Sequence, residues 1–294
     1  MFIDYLQYER NYSIHTLTAY TNDLLQFVSF IGEKEISEGE SFDLERIDSD
    51  IVRRWMMELI GQSLSSASVN RKLSALQSFF KYLIRREIVE KHPFAFLSGP
   101  KKAKSLPYFV KEKEMERVLG DENGNIGFGN VRDRLMVEML YETGIRCSEL
   151  VGIKNVDVDL DAMLLKVTGK RNKQRLIPFA ERLKEMIVYY NNVRSREVAT
   201  NSASFFVRKD GRPVSSAIVY YIVRKKLSDI PTLSKRSPHV LRHTFATGML
   251  NNGAKLSAVK NLLGHSSLAS TSVYTHVTFE ELKKMYNAHP RAKK

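Results

Sequence analysis

Hydrophobic positions in the first third of the chain recur at helical spacing. After Ser13, a residue suited to capping a first turn, Ile14, Leu17, Leu24, Leu25, Phe27, Val28 and Ile31 keep the period of one helix. A second helix is predicted over roughly Ser49 to Leu59. A third begins near Ser66 and buries Val69, Leu73, Leu76, Phe79, Phe80 and Leu83. Its other side carries Asn70, Arg71, Lys72, Ser74, Gln77, Ser78 and Lys81. A polar, basic helix face of this kind can lie along a DNA groove, and it can equally be a solvated surface.

The pattern then breaks. HPFAFLSGPKKAKSLP holds Pro93, Gly99, Pro100 and Pro107 with Lys101, Lys102 and Lys104, and it reads as an interdomain linker whose lysines can meet phosphates. The expected division is a helical domain over 1–98, a linker over 99–107 and a second domain over 108–294. In that second domain, helices are predicted near 111–119, 130–142, 181–194, 215–227, 238–250 and 255–263. Met163–Thr168 and Gln174–Pro178 alternate around GKRN, so they read as a hairpin with Lys170 in or beside its turn. Phe205–Val207 is a candidate third strand. TFEELKKMYNAHPRAKK ends the chain as a short amphipathic helix offering Phe279, Leu282, Met285 and Tyr286 for packing. The fold class is mainly α with a small β hairpin, the second domain being α+β.

Charge narrows the partners. The formal net charge is +13, but residues 1–98 carry 11 Lys+Arg against 14 Asp+Glu, while residues 99–294 carry 35 against 19. Such a surplus points to a polyanion. Cys147 is the single cysteine, which rules out an intramolecular disulfide and suits a reducing compartment; it reads as a small packed residue. MFIDYLQYERN lacks an apolar signal core, and no apolar run approaches the ~20 residues of a membrane span. A cytoplasmic location without membrane contact is expected.

The candidate chemistry lies in the basic half. Arg146 in TGIRCSEL, Lys170 in TGKRNKQR, His239 and Arg242 in SPHVLRHTFAT, His265 in LLGHSS and Tyr274 in SVYTHV combine two guanidiniums, an ammonium, two imidazoles and a phenol. That set suits holding a phosphodiester while an oxygen nucleophile attacks it. No acidic cluster accompanies it, so a metal-dependent nuclease fits poorly and neither metal nor cofactor is expected. Ser237 and Pro238 resemble an N-cap and first-turn proline, placing His239 and Arg242 on one helix face. A zinc pair of His239 and His243 is weaker, because no glutamate follows the first histidine. Each residue alone has a structural explanation; their order and spacing together are specific.

That ensemble resembles the tyrosine recombinase (phage integrase) family, most closely its bacterial Xer branch, over nearly the whole chain. TGIRCSEL matches the first arginine motif, SPHVLRHTFAT the His-x-x-Arg motif, LLGHSSLASTSVYTHV the second histidine and nucleophile, and HPRA the C-terminal signature. The resemblance implies a helical, SAM-like core-binding domain and a catalytic domain that clamp DNA. It implies Arg146, Lys170, His239, Arg242, His265 and Tyr274 as catalytic residues, with Tyr274 forming a covalent 3′-phosphotyrosine. Arg171 stands where the hairpin turn often has glycine. Implied partners are double-stranded DNA with a short imperfect palindrome, the chain itself or a paralogue in a cyclic tetramer on two sites, and a septal DNA translocase of the FtsK kind. The amphipathic tail would dock on a neighbouring protomer or on its own domain. Chromosome-dimer resolution at a terminus-region site is the expected function. The alternatives are a mobile-element integrase, a type IB topoisomerase-like enzyme and a non-catalytic DNA-binding protein.

Overall fold

The computed structural model describes residues 1–34, 44–94, 97–101, 108–120, 127–169, 172–264, 286–290 and 292. The chain divides into two compact units, Met1–Ser105 and Leu106–Lys294.

The first unit is helical. A short α1 (Phe2–Asp4) runs into a π turn (Tyr5–Glu9), followed by α2 (Ile14–Lys34), α3 (Ser49–Gly61) and α4 (Ser66–Arg85). Local chemistry sets the starts. The Asp48 carboxylate accepts from the amides of Asp50 and Ile51, both at 2.9 Å, and the Ser65 hydroxyl accepts from Ser68 at 3.2 Å. The apolar stripes meet in one core, where Trp55 lies edge-on to Phe27 at 5.0 Å and Phe80, Leu76 and Val69 are fully buried. The start of the Pro- and Lys-rich stretch is held against α4. Asn70 Nδ2 donates to the Pro100 carbonyl at 2.8 Å, and a Cβ on Gly99 would meet Asn70 Oδ1 at 2.0 Å.

The second unit holds α5 (Glu112–Val118), α6 (Phe128–Thr143), α7 (Cys147–Val151), β1 (Val158–Asp159), β2 (Leu164–Thr168), β3 (Gln174–Pro178), α8 (Glu181–Glu197), α9 (Ser216–Lys226), α10 (Pro238–Asn251) and α11 (Leu256–Leu263). The strands form one antiparallel sheet in the order β1-β2-β3, with Leu164 opposite Pro178 and Thr168 opposite Gln174. Helix α6 is buried on nearly all sides, with α8 and α10 packed against it.

The third strand is a correction. β1 takes that place, while Ser204 and Val207 make only single bridges, to Lys154 and Pro213. Phe205, Phe206 and Val207 are all buried, so the segment plugs the core beside Tyr190 instead of alternating as a half-exposed strand does. Cys147 is a buried free thiol whose pKa is raised by burial. Among the described residues no helix is long and apolar enough to cross a membrane.

Candidate active site

Helix α10 begins with Ser237 and Pro238, and its first turn leaves His239 exposed while Arg242, one turn on, points inward at 8% exposure. The buried guanidinium grips two helix ends. Its Nη1 donates to the Gly144 carbonyl at the end of α6, and its Nη2 to the Leu263 carbonyl at the end of α11, each at 2.7 Å. Burial, then the nearby charge of Arg146, lowers its pKa to about 10, so it stays a cation at neutral pH.

Gly144 ends α6 in the left-handed region, at φ +61°, and a Cβ there would come within 2.5 Å of the Phe245 ring. This turn delivers Arg146 to the N-cap of α7. The backbone amide of Arg146 donates to Glu149 Oε2 at 2.8 Å and its Nη1 to Oε1 at 2.9 Å. The Arg146 side chain keeps 37% of its surface exposed, whereas Glu149 keeps 1%.

A second arginine reaches the same carboxylate from β3. Arg175 Nη1 and Nη2 donate to Glu149 Oε1 and Oε2 at 2.8 and 2.9 Å, and Nε donates to the Leu262 carbonyl at 2.8 Å. Burial alone would raise the Glu149 pKa; the bonds and charge of Arg175, reinforced by Arg146, override it and hold the group at about 2. Glu149 is a carboxylate throughout the physiological range. Neither Glu149 nor Arg175 emerges from the sequence. An acid three residues after a helix start was a readable capping signal, but nothing marks Arg175 among the basic residues of GKRNKQR.

Of the six predicted catalytic residues, Arg146, His239 and Arg242 lie on described elements. Lys170, His265 and Tyr274 lie outside the described residues, as does Arg171. Gly169 and Gly264, which immediately precede Lys170 and His265, are described and both lie against the Glu149–Arg175 pair: a Cβ on Gly169 would sit 3.1 Å from Glu149 Oε1, and one on Gly264 3.1 Å from Arg175 Nη1. The arrangement can do one thing well. It presents cationic, partly desolvated donors, fixed before any ligand arrives, to a group with non-bridging oxygens.

On the first unit the predicted polar face divides. Ser74 and Lys81 are exposed, Gln77 is half-buried, and Asn70 is engaged with Ser66 and Pro100. Arg71 bonds Asp23 yet keeps 45% of its side chain exposed. Lys72 is a correction. It is buried, with Nζ on Asp23 at 2.9 Å and on Gln26, because Asp23 on α2 lies beneath it and a buried carboxylate needs a cation. Lys101 is exposed; Lys102 and Lys104 lie outside the described residues.

Phe279, Leu282 and Met285 of the predicted tail helix also lie outside. Tyr286, His289 and Pro290 pack on their own unit. The Tyr286 hydroxyl donates to Glu142 Oε2 at 3.4 Å, and the His289 ring stacks on Tyr286 and Phe245 at 5.6 and 5.4 Å. Burial pushes Glu142 up to about 7 and His289 down to about 4, so at neutral pH His289 is uncharged and Glu142 is about half protonated.

The family models described as "Phage integrase family" and "Phage integrase, N-terminal SAM-like domain" match residues 109–281 and 1–87. The chain is 38% identical to the tyrosine recombinase XerC of Chlorobaculum tepidum, with 99% of this chain and 94% of that one covered. It is 41% identical to XerC of Staphylococcus saprophyticus, covering 98% and 96%. In fold it is similar to the XerH site-specific recombinase bound to a palindromic difH substrate in a post-cleavage complex, with a TM-score of 0.74 at 23% identity over 95% of this chain and 81% of that one. The Tn1549 transposon integrase in complex with transposon right end DNA gives 0.71 at 18% identity over 96% of each chain.

Proposed function

The chain belongs to the phage integrase family of tyrosine recombinases, enzymes that cut and rejoin DNA strands, and we propose that it does so through Tyr274 at a specific site. The Tyr274 oxygen attacks a DNA phosphorus while the bond from phosphorus to the 5′ oxygen breaks. His239 accepts the phenolic proton, which a group of pKa near 10 holds at neutral pH, and Lys170 protonates the departing 5′ oxygen. The enzyme is left joined to the 3′ phosphate. Attack by the 5′ hydroxyl of another strand reverses the step and conserves the ester bond. Arg146 and Arg242 hold the non-bridging oxygens and offset the charge of the pentavalent transition state, with His265 as a further donor. Donors of this kind are worth roughly 10²–10³-fold each.

The observation that carries this reading is the anchoring of Arg146 and Arg242 before DNA binds, the first on Glu149 and the second on two helix-end carbonyls. The biological assignment is chromosome-dimer resolution at a terminus-region site. The duplex carries a short imperfect palindrome, and a cyclic tetramer of this chain or of this chain with a paralogue assembles on two sites, under a septal DNA translocase. The relatives named XerC and the palindromic substrate of XerH support that choice.

The test is covalent trapping on nicked duplexes in EDTA, comparing wild type with Tyr274→Phe. A denaturation-resistant protein–DNA adduct lost in the variant is expected. Good binding without any wild-type adduct would leave a DNA-binding protein instead.

A further inference from the structure

We propose that Arg175 is a positioning residue for strand cleavage, one guanidinium on β3 that holds three separate catalytic segments in register. This rests on the strand-transfer reading above. Three donors of Arg175 go to three acceptors on two other elements: both oxygens of Glu149, which in turn orients Arg146, and the Leu262 carbonyl in the last turn of α11. Its own strand leads back to Gly169, whose amide donates to the Lys173 carbonyl at 2.8 Å and which lies against Glu149. The residues next in sequence to these contacts are Lys170 after Gly169 and His265 after Gly264. Gly264 lets the α11 end approach the guanidinium, since a Cβ there would sit 3.1–3.3 Å from Arg175 Nη1, Cδ and Cζ.

The fork geometry sets the requirement. A planar guanidinium can satisfy a carboxylate through two parallel bonds and still aim Nε at a carbonyl to one side, whereas an ammonium is a point donor on a flexible stem. With the fork lost, Glu149 is free to rotate and take the Arg146 guanidinium on both oxygens, drawing it inward from the position it now holds half exposed. The Leu262 carbonyl loses its side-chain donor in the same event. The charge of the cluster is unchanged in Arg175→Lys, so the loss is one of geometry.

The test uses the full chain and a nicked duplex recovered by selection with the wild-type protein from a random-sequence library. Single-turnover adduct formation at saturating DNA is measured together with duplex affinity and melting temperature. Arg175→Lys is expected to lower the cleavage rate by about 10²-fold, the scale of a misplaced constellation, with affinity unchanged and melting lowered by only a few degrees, too little to account for the rate. A 5′-bridging phosphorothiolate, whose sulfur leaves without a proton, is expected to restore part of the Arg175→Lys rate and none of an Arg146→Ala rate, because part of the defect lies at the Lys170 turn. Gly169→Ala removes no charge and presses on Glu149 from the turn side; it should lower the rate by a smaller factor at unchanged affinity. An unimpaired Arg175→Lys, or a rate that falls only in step with melting and affinity, overturns the inference while leaving the function intact. A wild-type protein that makes no adduct overturns both.

Discussion

Each unit of this molecule buries a carboxylate between two cations, one taken out of solvent and one left partly exposed, and the two clusters attach the exposed cation differently. In the first unit, Asp23 at 1% exposure takes Lys72 out of solvent and bonds Arg71, which keeps 45% of its side chain exposed. In the second, Glu149 takes Arg175 out of solvent but leaves Arg146 with 37% of its side chain exposed. The geometry of attachment makes the difference. Arg71 meets Asp23 through its side chain, whereas Arg146 sits at a helix start and gives Glu149 one guanidinium nitrogen and a backbone amide. Arg146 is thereby held to its acid at both ends of the side chain, which fixes where its exposed guanidinium can meet a phosphate.

The comparison can be broken most severely at Glu149. Glu149→Ala strands Arg175 and frees Arg146, so it should cost about 3–5 kcal/mol of stability and about 10²–10³-fold in adduct formation, read by chemical unfolding and by suicide substrates. Asp23→Ala should cost about 3–5 kcal/mol as well, by leaving Lys72 buried and unpaired; pairing it with Lys72→Met should recover most of that loss, with cleavage per bound protein unaltered throughout. A smaller effect belongs to Glu142, a buried carboxyl without a bonded cation. Its folded pKa of about 7 lies above the ordinary glutamate value of 4.5, so the folded state binds the extra proton and stability falls as pH rises from 4.5 to 7. Glu142→Gln should therefore melt above wild type at pH 8, by up to roughly 3 kcal/mol, and the gap should close by pH 5. The smallest change is Lys81→Ala, expected to reduce the slope of log affinity against log salt by about 1, where the Asp23→Ala/Lys72→Met pair leaves the slope unchanged.

These clusters also mark where sequence reading works. Helix α10 was legible from Ser237, Pro238 and the apolar period after them, and the hairpin from alternation around GKRN, because both signals are local. Lys72 was misplaced because its environment is decided by Asp23, 49 residues earlier on another helix. Arg175 was missed for the same reason, since its partners Glu149 and Leu262 lie 26 and 87 residues away. Three consecutive buried residues at 205–207 defeat a period-2 test, which presumes one wet face.

Arg242 has a further consequence, one that concerns how the sequence can drift. Two of its anchors, both among the described residues, are carbonyl oxygens of Gly144 and Leu263, and every amino acid supplies a carbonyl. No side-chain replacement at those helix ends removes either carbonyl, so long as each helix still stops where it does. The burden shifts to the glycines that stop them. Gly144 and Gly264 both take left-handed turns against close neighbours, and a mutational scan should find them intolerant while position 263 accepts a range of apolar residues.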